Sequence, residues 1–288
     1  MAAIKSYKGF DKNLKCRDFQ YEIGKEYEMD GEIKVCNRGF HACESPFDVF
    51  DHYTMIDSRF CEVEQDGNIS KEDRGTKICS SKIKIKAELK LADMINLGVE
   101  WLKEITSPEK IKTSIKDNSS GNGAKIGSSG NGAKIGSSGY GAKIGSSGYG
   151  AKIGSSGNNA QIGSSGDGAK IGSSGNNAQI GSSGNNAQIG SSGYDAKIGS
   201  SGNNAQIGSS GNNAKIDSTG EDCVIMCAGI NSVAKASKGS WITLSEWSYS
   251  DKKQRYIPVC VKTEFVDGEK IKADTYYKLD GGVFKEMQ

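Results

Sequence analysis

A mainly β fold is predicted, with a central parallel β-solenoid of nine-residue repeats, two per coil, between an N-terminal α+β domain and a small C-terminal β module. Three observations predict it. Isoleucine recurs every ninth residue from Ile126 to Ile225. Ala stands two residues before nearly every one of these, and Ser-Ser-Gly-Asn or a close variant follows. Residues 1–117 and 229–288 lack the repeat and show ordinary strand and helix periodicity.

The unit reads Ala-Lys/Gln-Ile-Gly-Ser-Ser-Gly-Asn/Tyr-Asn/Gly. Self-similarity at a fixed short period marks a stacked array. Side chains alternate along a strand, so Ala124, Ile126 and Ser128 are expected inward, with Lys125 and Gly127 outward. Ser129-Gly130-Asn131-Gly132 has turn chemistry, because Gly and Asn accept positive φ. One nine-residue coil is too small to enclose a side-chain layer. Two units per coil place two strands face to face across a thin core. Stacked at about 4.8 Å, they predict roughly six coils over residues 118–228, about 25–30 Å long. Each buried Ile contributes roughly 1.5–3 kcal/mol, which makes the Ile column the main cohesive element.

The outward ladders separate by parity. One carries Lys125, Lys143, Gln161, Gln179, Lys197 and Lys215; the other carries Lys134, Lys152, Lys170, Gln188 and Gln206. Such lysines either form a stripe for an anionic partner or keep sheets from pairing edge to edge. Tyr140, Tyr149 and Tyr194 replace Asn at corners, where an aromatic can anchor a partner or is simply tolerated. Lys125, Lys134, Lys143, Lys152, Lys170 and the three tyrosines are therefore the candidate binding residues. Calcium-binding nonapeptide rolls need Asp at each corner; here only Asp167 and Asp195 provide one, and no calcium is expected. In Cys223-Val224-Ile225-Met226-Cys227, apolar residues replace Lys, Gly and Ser, which fits a last coil docking a cap. Cys223 and Cys227 are expected to pack as small apolar groups.

In residues 1–117, Ser45-Pro46 predicts a helix start. Arg59–Gln65 reads as a strand. Lys82–Leu89 alternates, with Ile83, Ile85, Ala87 and Leu89 on one side. Leu91–Ile105 reads as an amphipathic helix suited to capping the first coil. In residues 229–288, Tyr256–Val266 and Thr275–Phe284 read as strands with turns at Asp267-Gly268 and Asp280-Gly281-Gly282. Trp241 and Trp247 are expected in the core of that module.

Charge separates the segments. Residues 1–118 carry 20 basic and 22 acidic side chains, residues 119–220 carry 7 Lys and 3 Asp, and residues 221–288 carry 10 of each, for a net +2. No segment is basic enough to predict nucleic-acid binding. No apolar run predicts a signal peptide or a membrane span. The eight Cys are expected as thiols in a reducing cytoplasm.

Cys36-Asn-Arg-Gly-Phe-His41-Ala-Cys43, with Cys16 upstream, is the densest cluster of reactive side chains. A zinc site on Cys16, Cys36, His41 and Cys43 is conceivable, although Cys-x4-His-x-Cys is not a standard spacing. A Cys nucleophile beside His41 lacks a third member. A buried junction between a strand and a helix is the bland alternative. No cofactor is expected.

Two resemblances follow from these residues. Tyr7-Lys8-Gly9-Phe10, Gly39-Phe40-His41-Ala42-Cys43-Glu44-Ser45-Pro46, Asp48-Val49-Phe50 and Cys61-Glu62-Val63-Glu64 together resemble an uncharacterised domain of phage and prophage proteins. In that group the domain often precedes repeats and a piece resembling Gly239–Trp247. The resemblance implies a phage-encoded protein acting inside a bacterium. A fainter likeness is to ADP-ribosyltransferases, in the order of Lys8, Gly39-Phe40-His41 and Glu62/Glu64. The departures are Lys where Arg or His is expected, a missing Ser-Thr-Ser-type strand and no clear late catalytic Glu. That likeness implies a dinucleotide cleft near Lys8, His41 and Glu64.

The leading expectation is a non-enzymatic, phage-encoded interaction protein in the host cytoplasm. Its rigid solenoid presents end modules to a bacterial host protein, and a homo-oligomer is open. By analogy alone, inhibition of a defence system fits such a protein. The alternatives are an ADP-ribosyltransferase-like enzyme in residues 1–105 and a tail-associated virion component.

Overall fold

The computed structural model describes residues 3–72, 75–106 and 121–287; the expected boundary between residues 117 and 118 lies outside them. The chain divides into two compact units, Met1–Trp101 and Leu102–Gln288.

The first unit is a small sheet that closes on itself. Its strand order is Glu26–Glu28, Lys77–Leu89, Phe40–Cys43, Ile4–Phe10, Arg59–Lys71, and Arg59–Lys71 also pairs with Lys77–Leu89. Phe10, Phe40, Ala42, Cys61, Val63, Ile83 and Ile85 share one buried cluster. A polar bridge is fully buried beside it. Ser6 Oγ donates to Gln65 Oε1 at 2.8 Å, while Gln65 Nε2 donates to the Phe40 carbonyl at 2.7 Å and to Ser80 Oγ at 3.0 Å. Each of these groups thus keeps a partner out of water. Alternation in Lys82–Leu89 stops at Ile85, because a register shift skips Lys86 and leaves Ala87 exposed. Ser45-Pro46 leads into only a short 3-10 helix, Phe47–Asp51. Ser45 Oγ accepts the Asp48 N–H at 3.4 Å, too long to hold an α-helical start firmly. Leu91–Ile105 is an α-helix of 15 residues. It buries Met94, Ile95, Val99 and Leu102 at helical spacing. Gly98 lets the Phe47 ring lie against the helix, since a Cβ there would overlap it.

The second unit is the solenoid and its C-terminal extension. Two sheets of nine and eight strands each begin with parallel strands. Removing the antiparallel Tyr277–Asp280 and Val283–Glu286 from one, and Arg255–Phe265 from the other, leaves seven parallel strands per wall. The coils therefore number seven rather than six. The extra coil arises because Val233–Ala236 and Trp241–Leu244 continue the ladders beyond residue 228, pairing with Lys215–Ser218 and Val224–Cys227. Arg255–Phe265 and the hairpin around Gly281-Gly282 form antiparallel strands beyond them.

Pairing is in register by whole coils: Lys143 with Gln161, Ile144 with Ile162, Gly145 with Gly163, Ser146 with Ser164. Ala and Ile from both walls form one buried cluster. The inward Ser column is buried too, but ten of its hydroxyls, from Ser137 to Ser218, find no hydrogen-bond partner among the described residues. Cohesion therefore rests on Ile and Ala rather than on the hydroxyls. Cys223 and Cys227 are buried in the same cluster, as small apolar groups.

Glycine serves three different purposes in one nonamer. The residue before Ala takes positive φ, as Gly150 (63°) and Asn177 (56°) do. The Gly of Ser-Ser-Gly sits under the previous coil: a Cβ on Gly175 would overlap the Gly157 carbonyl. The strand Gly faces outward, and at Gly136, Gly154, Gly172, Gly190 and Gly208 nothing lies within 4 Å of an added Cβ.

The corners carry a ladder of side-chain bonds. Asn176 Oδ1 accepts the Tyr194 N–H at 2.9 Å and Asn185 Oδ1 the Asn203 N–H at 2.9 Å, each 18 residues on. A tyrosine has no side-chain oxygen there, so Tyr140, Tyr149 and Tyr194 interrupt the ladder. Replacing Tyr140 by Asn should restore an acceptor for the Asn158 N–H and raise stability by about 0.5–1.5 kcal/mol. Denaturant unfolding with an unchanged slope would register the gain.

Candidate functional site

Two regions carry candidate chemistry: a cavity in the first unit and the outer faces of the solenoid.

The cavity measures about 730 Å³ and is lined by residues between Tyr7 and Lys77. Lys8 reaches it from Ile4–Phe10, and its side chain is buried. Its Nζ donates to the His41 carbonyl at 3.0 Å and stands 3.5 Å from Cys16 Sγ. Tyr53 donates its hydroxyl to the same sulfur at 3.0 Å. The ammonium also lies 5.3 Å from the Phe10 ring centre and 5.5 Å from that of Tyr21. Burial pushes the Lys8 amine below its usual range, opposed by the nearby Cys16 and Cys43 sulfurs. Burial also raises the Tyr21 and Tyr53 phenols. The His41 ring is pushed down to about 4, by burial first and then by Lys8 and Lys77. It is neutral at pH 7, and its Nε2 accepts the Cys36 N–H at 2.9 Å. Low basicity and this hydrogen bond together make it a poor general base.

Lys8 and His41 thus meet, but through the His41 carbonyl rather than the ring. Glu64 does not join them. Lys8 stands opposite Cys61 in the sheet, so Val63 shares its face while Glu62 and Glu64 point the other way. Glu64 pairs with Lys86 at 3.0 Å and Glu62 with Lys5 at 2.8 Å. The trio expected for a transferase is not assembled. Cys16, Cys36, His41 and Cys43 all line the cavity, yet among the described residues no three or more His, Cys, Asp and Glu side chains gather as a metal-binding group. All eight cysteines are free thiols.

On the solenoid, the two walls differ. Lys134, Lys152 and Lys170 on the second wall are exposed. On the first wall Lys125 is only half-exposed, Lys143 is 9% exposed and Gln161 is 3% exposed. The exposed lysines therefore stand on the second wall, while Lys125 and Lys143 of the first wall are partly or largely covered. Near the far end of the first wall, the Tyr276 ring lies 4.2 Å from Lys215 Nζ and 5.0 Å from Lys235 Nζ. The three corner tyrosines are exposed, but Tyr149 occupies a different corner column from Tyr140 and Tyr194. They do not form one cluster.

The second wall holds what composition alone did not reveal. Beyond Gln206 its outward column continues as Val224 and Trp241, with Met226 alongside. Trp241 is 47% exposed and its ring lies tilted against Phe265, with centres 5.0 Å apart, so it is a surface residue rather than part of a core. Trp247 donates Nε1 to the Ala228 carbonyl at 3.0 Å. Val224 and Met226 face solvent and dock no end cap among the described residues; their segment is followed by a further parallel strand. The signal was the replacement of Lys and Gly by Val and Met at outward positions of a repeat whose parity was already readable.

Among the described residues no helix is long and apolar enough to cross a membrane. No curated protein matches the chain. No solved structure matches it. Residues 4–97, which contain Lys8, Cys16, His41 and most of the first unit, match the family model described as "Domain of unknown function (DUF7666)".

Proposed function

We propose that the chain is a non-enzymatic interaction protein whose second solenoid wall receives a protein partner. The observation carrying this is the outward glycine column, Gly136 to Gly208, with open space at every position. Glycine costs a strand roughly 0.5–1 kcal/mol relative to alanine. Nothing among the described residues lies close enough to require it on this wall. Glycine in a strand otherwise marks close approach by a ligand or another backbone. The column runs beside Lys134, Lys152 and Lys170 at one end and reaches Val224, Met226, Trp241 and Phe265 at the other. That order fits a partner surface that is acidic at one end and apolar at the other.

The resemblance of residues 1–105 to phage-encoded domains supplies the setting: a phage protein acting in the host cytoplasm on a bacterial protein. Inhibition of a host defence system is a use consistent with it. Separation of Glu64 from Lys8 gives the transferase reading no support from geometry.

The test is affinity capture from infected bacterial cells with the wild type and with Gly190→Arg, whose side chain projects into open space. One bacterial protein retained in stoichiometric amount by the wild type and lost with the variant is expected. Retention of the same protein by both, or of none by either, overturns the reading.

A further inference from the structure

The cavity of the first unit contains a charge imbalance. Lys8 is buried in its wall, and neither of its two hydrogen-bond partners, the His41 carbonyl and Cys16 Sγ, is a carboxylate. An ammonium has three hydrogens to donate, so one remains. Lys8 forms no ion pair among the described residues, and Arg17 and Lys77, which also line the cavity, form none either. Among the described residues Asp18 is the single acid in the lining. Three cations thus face one anion, in a space walled by Tyr7, Phe19, Tyr21, Phe40 and Tyr53.

A buried charge is tolerated when it is paired. Among the described residues none supplies the pair, which leaves a ligand to do so. The walls set the rest of that ligand's chemistry, since aromatic faces and edges favour a flat apolar body. The volume lies within the usual range for a small-molecule site. We propose that this cavity binds a small aromatic anion, its carboxylate or phosphate beside Lys8 Nζ and its flat body against Tyr21 and Phe19. Arg17 and Lys77, which also line the cavity, add to its positive field. No bond is made or broken: this is a binding site, separate from the solenoid wall.

The experiment is titration calorimetry on the full chain with two matched pairs of probes. AMP against adenosine reports phosphate; indole-3-acetate against indole-3-acetamide reports carboxylate. At least one anion should bind at least tenfold more tightly than its neutral partner, and the pair that shows the preference identifies the acid group. Lys8→Met, which keeps the bulk and removes the charge, should abolish that preference. It should also raise the melting temperature of the ligand-free protein, as an unpaired buried charge disappears. Lys77→Gln, at a less buried position, should weaken the preferred anion several-fold with the fold unchanged, so the proposal does not hang on one variant. Binding of neither anion at millimolar concentration overturns it. So does equal affinity for anion and neutral partner, or a preference that survives in both variants.

Discussion

Gly175→Ala should destabilise the solenoid by about 1–3 kcal/mol, whereas Gly172→Ala, three residues away in the same nonamer, should leave stability unchanged or raise it by roughly 0.5 kcal/mol. Neither glycine has a positive φ, so backbone strain does not enter. The difference is steric. A methyl on Gly175 falls on the carbonyl oxygen of Gly157 and close to the Asn176-facing side of the previous corner, at 2.9 Å from the Asn158 nitrogen. These atoms are backbone and cannot swing aside. The coils would have to separate, lengthening bonds such as Gln179 N–H to the Ala160 carbonyl, now 2.8 Å. At Gly172 the same methyl meets nothing within 4 Å. There it removes unfolded-state freedom at no steric cost. Equilibrium unfolding of the two variants side by side checks the contrast. Equal effects would mean that the coils do not stack through the Ser-Ser-Gly corner.

The second large effect belongs to the isoleucines. Ile180 is wholly buried and pairs with Ile162 and Ile198 along its wall. Ile180→Asp removes roughly 1.5–3 kcal/mol of burial and places a carboxylate inside the apolar cluster between the walls, at a further cost of several kcal/mol. Each coil touches only its neighbours, so the break should stay local and divide the array rather than dissolve it at once. Residues on both sides would retain some protection, with the central coils lost.

The sequence disclosed the solenoid because its cause is local and repeated. Alternation within Ala-Lys-Ile-Gly-Ser decides which side chains enter the core, and the corner residues decide where the strand stops. The two roles of Gly172 and Gly175 were not separable, since what meets an added methyl lies a full coil away. Nor was the contrast between Lys143 and Lys152, which share one local sequence; their exposure is set by tertiary surroundings. In the first unit, Lys8 and the Gly39-Phe40-His41 segment line one cavity and meet through the His41 carbonyl. Glu64 was misplaced because order along the chain was read without the register that sets Lys8 opposite Cys61. Trp241 was assigned to a core on residue type alone, although its place in a parallel ladder put it on the outward parity.

Residue-resolved hydrogen exchange on the wild type and Ile180→Asp together is the most direct measurement of the dry aliphatic column between the walls. Strand amides from Lys143 to Ala236 should be strongly protected in the wild type. In the variant, protection should collapse around Gln161–Ser200 first. Amides that exchange at the rate of an unstructured chain in the wild type, or a variant whose protection matches it, would contradict the account.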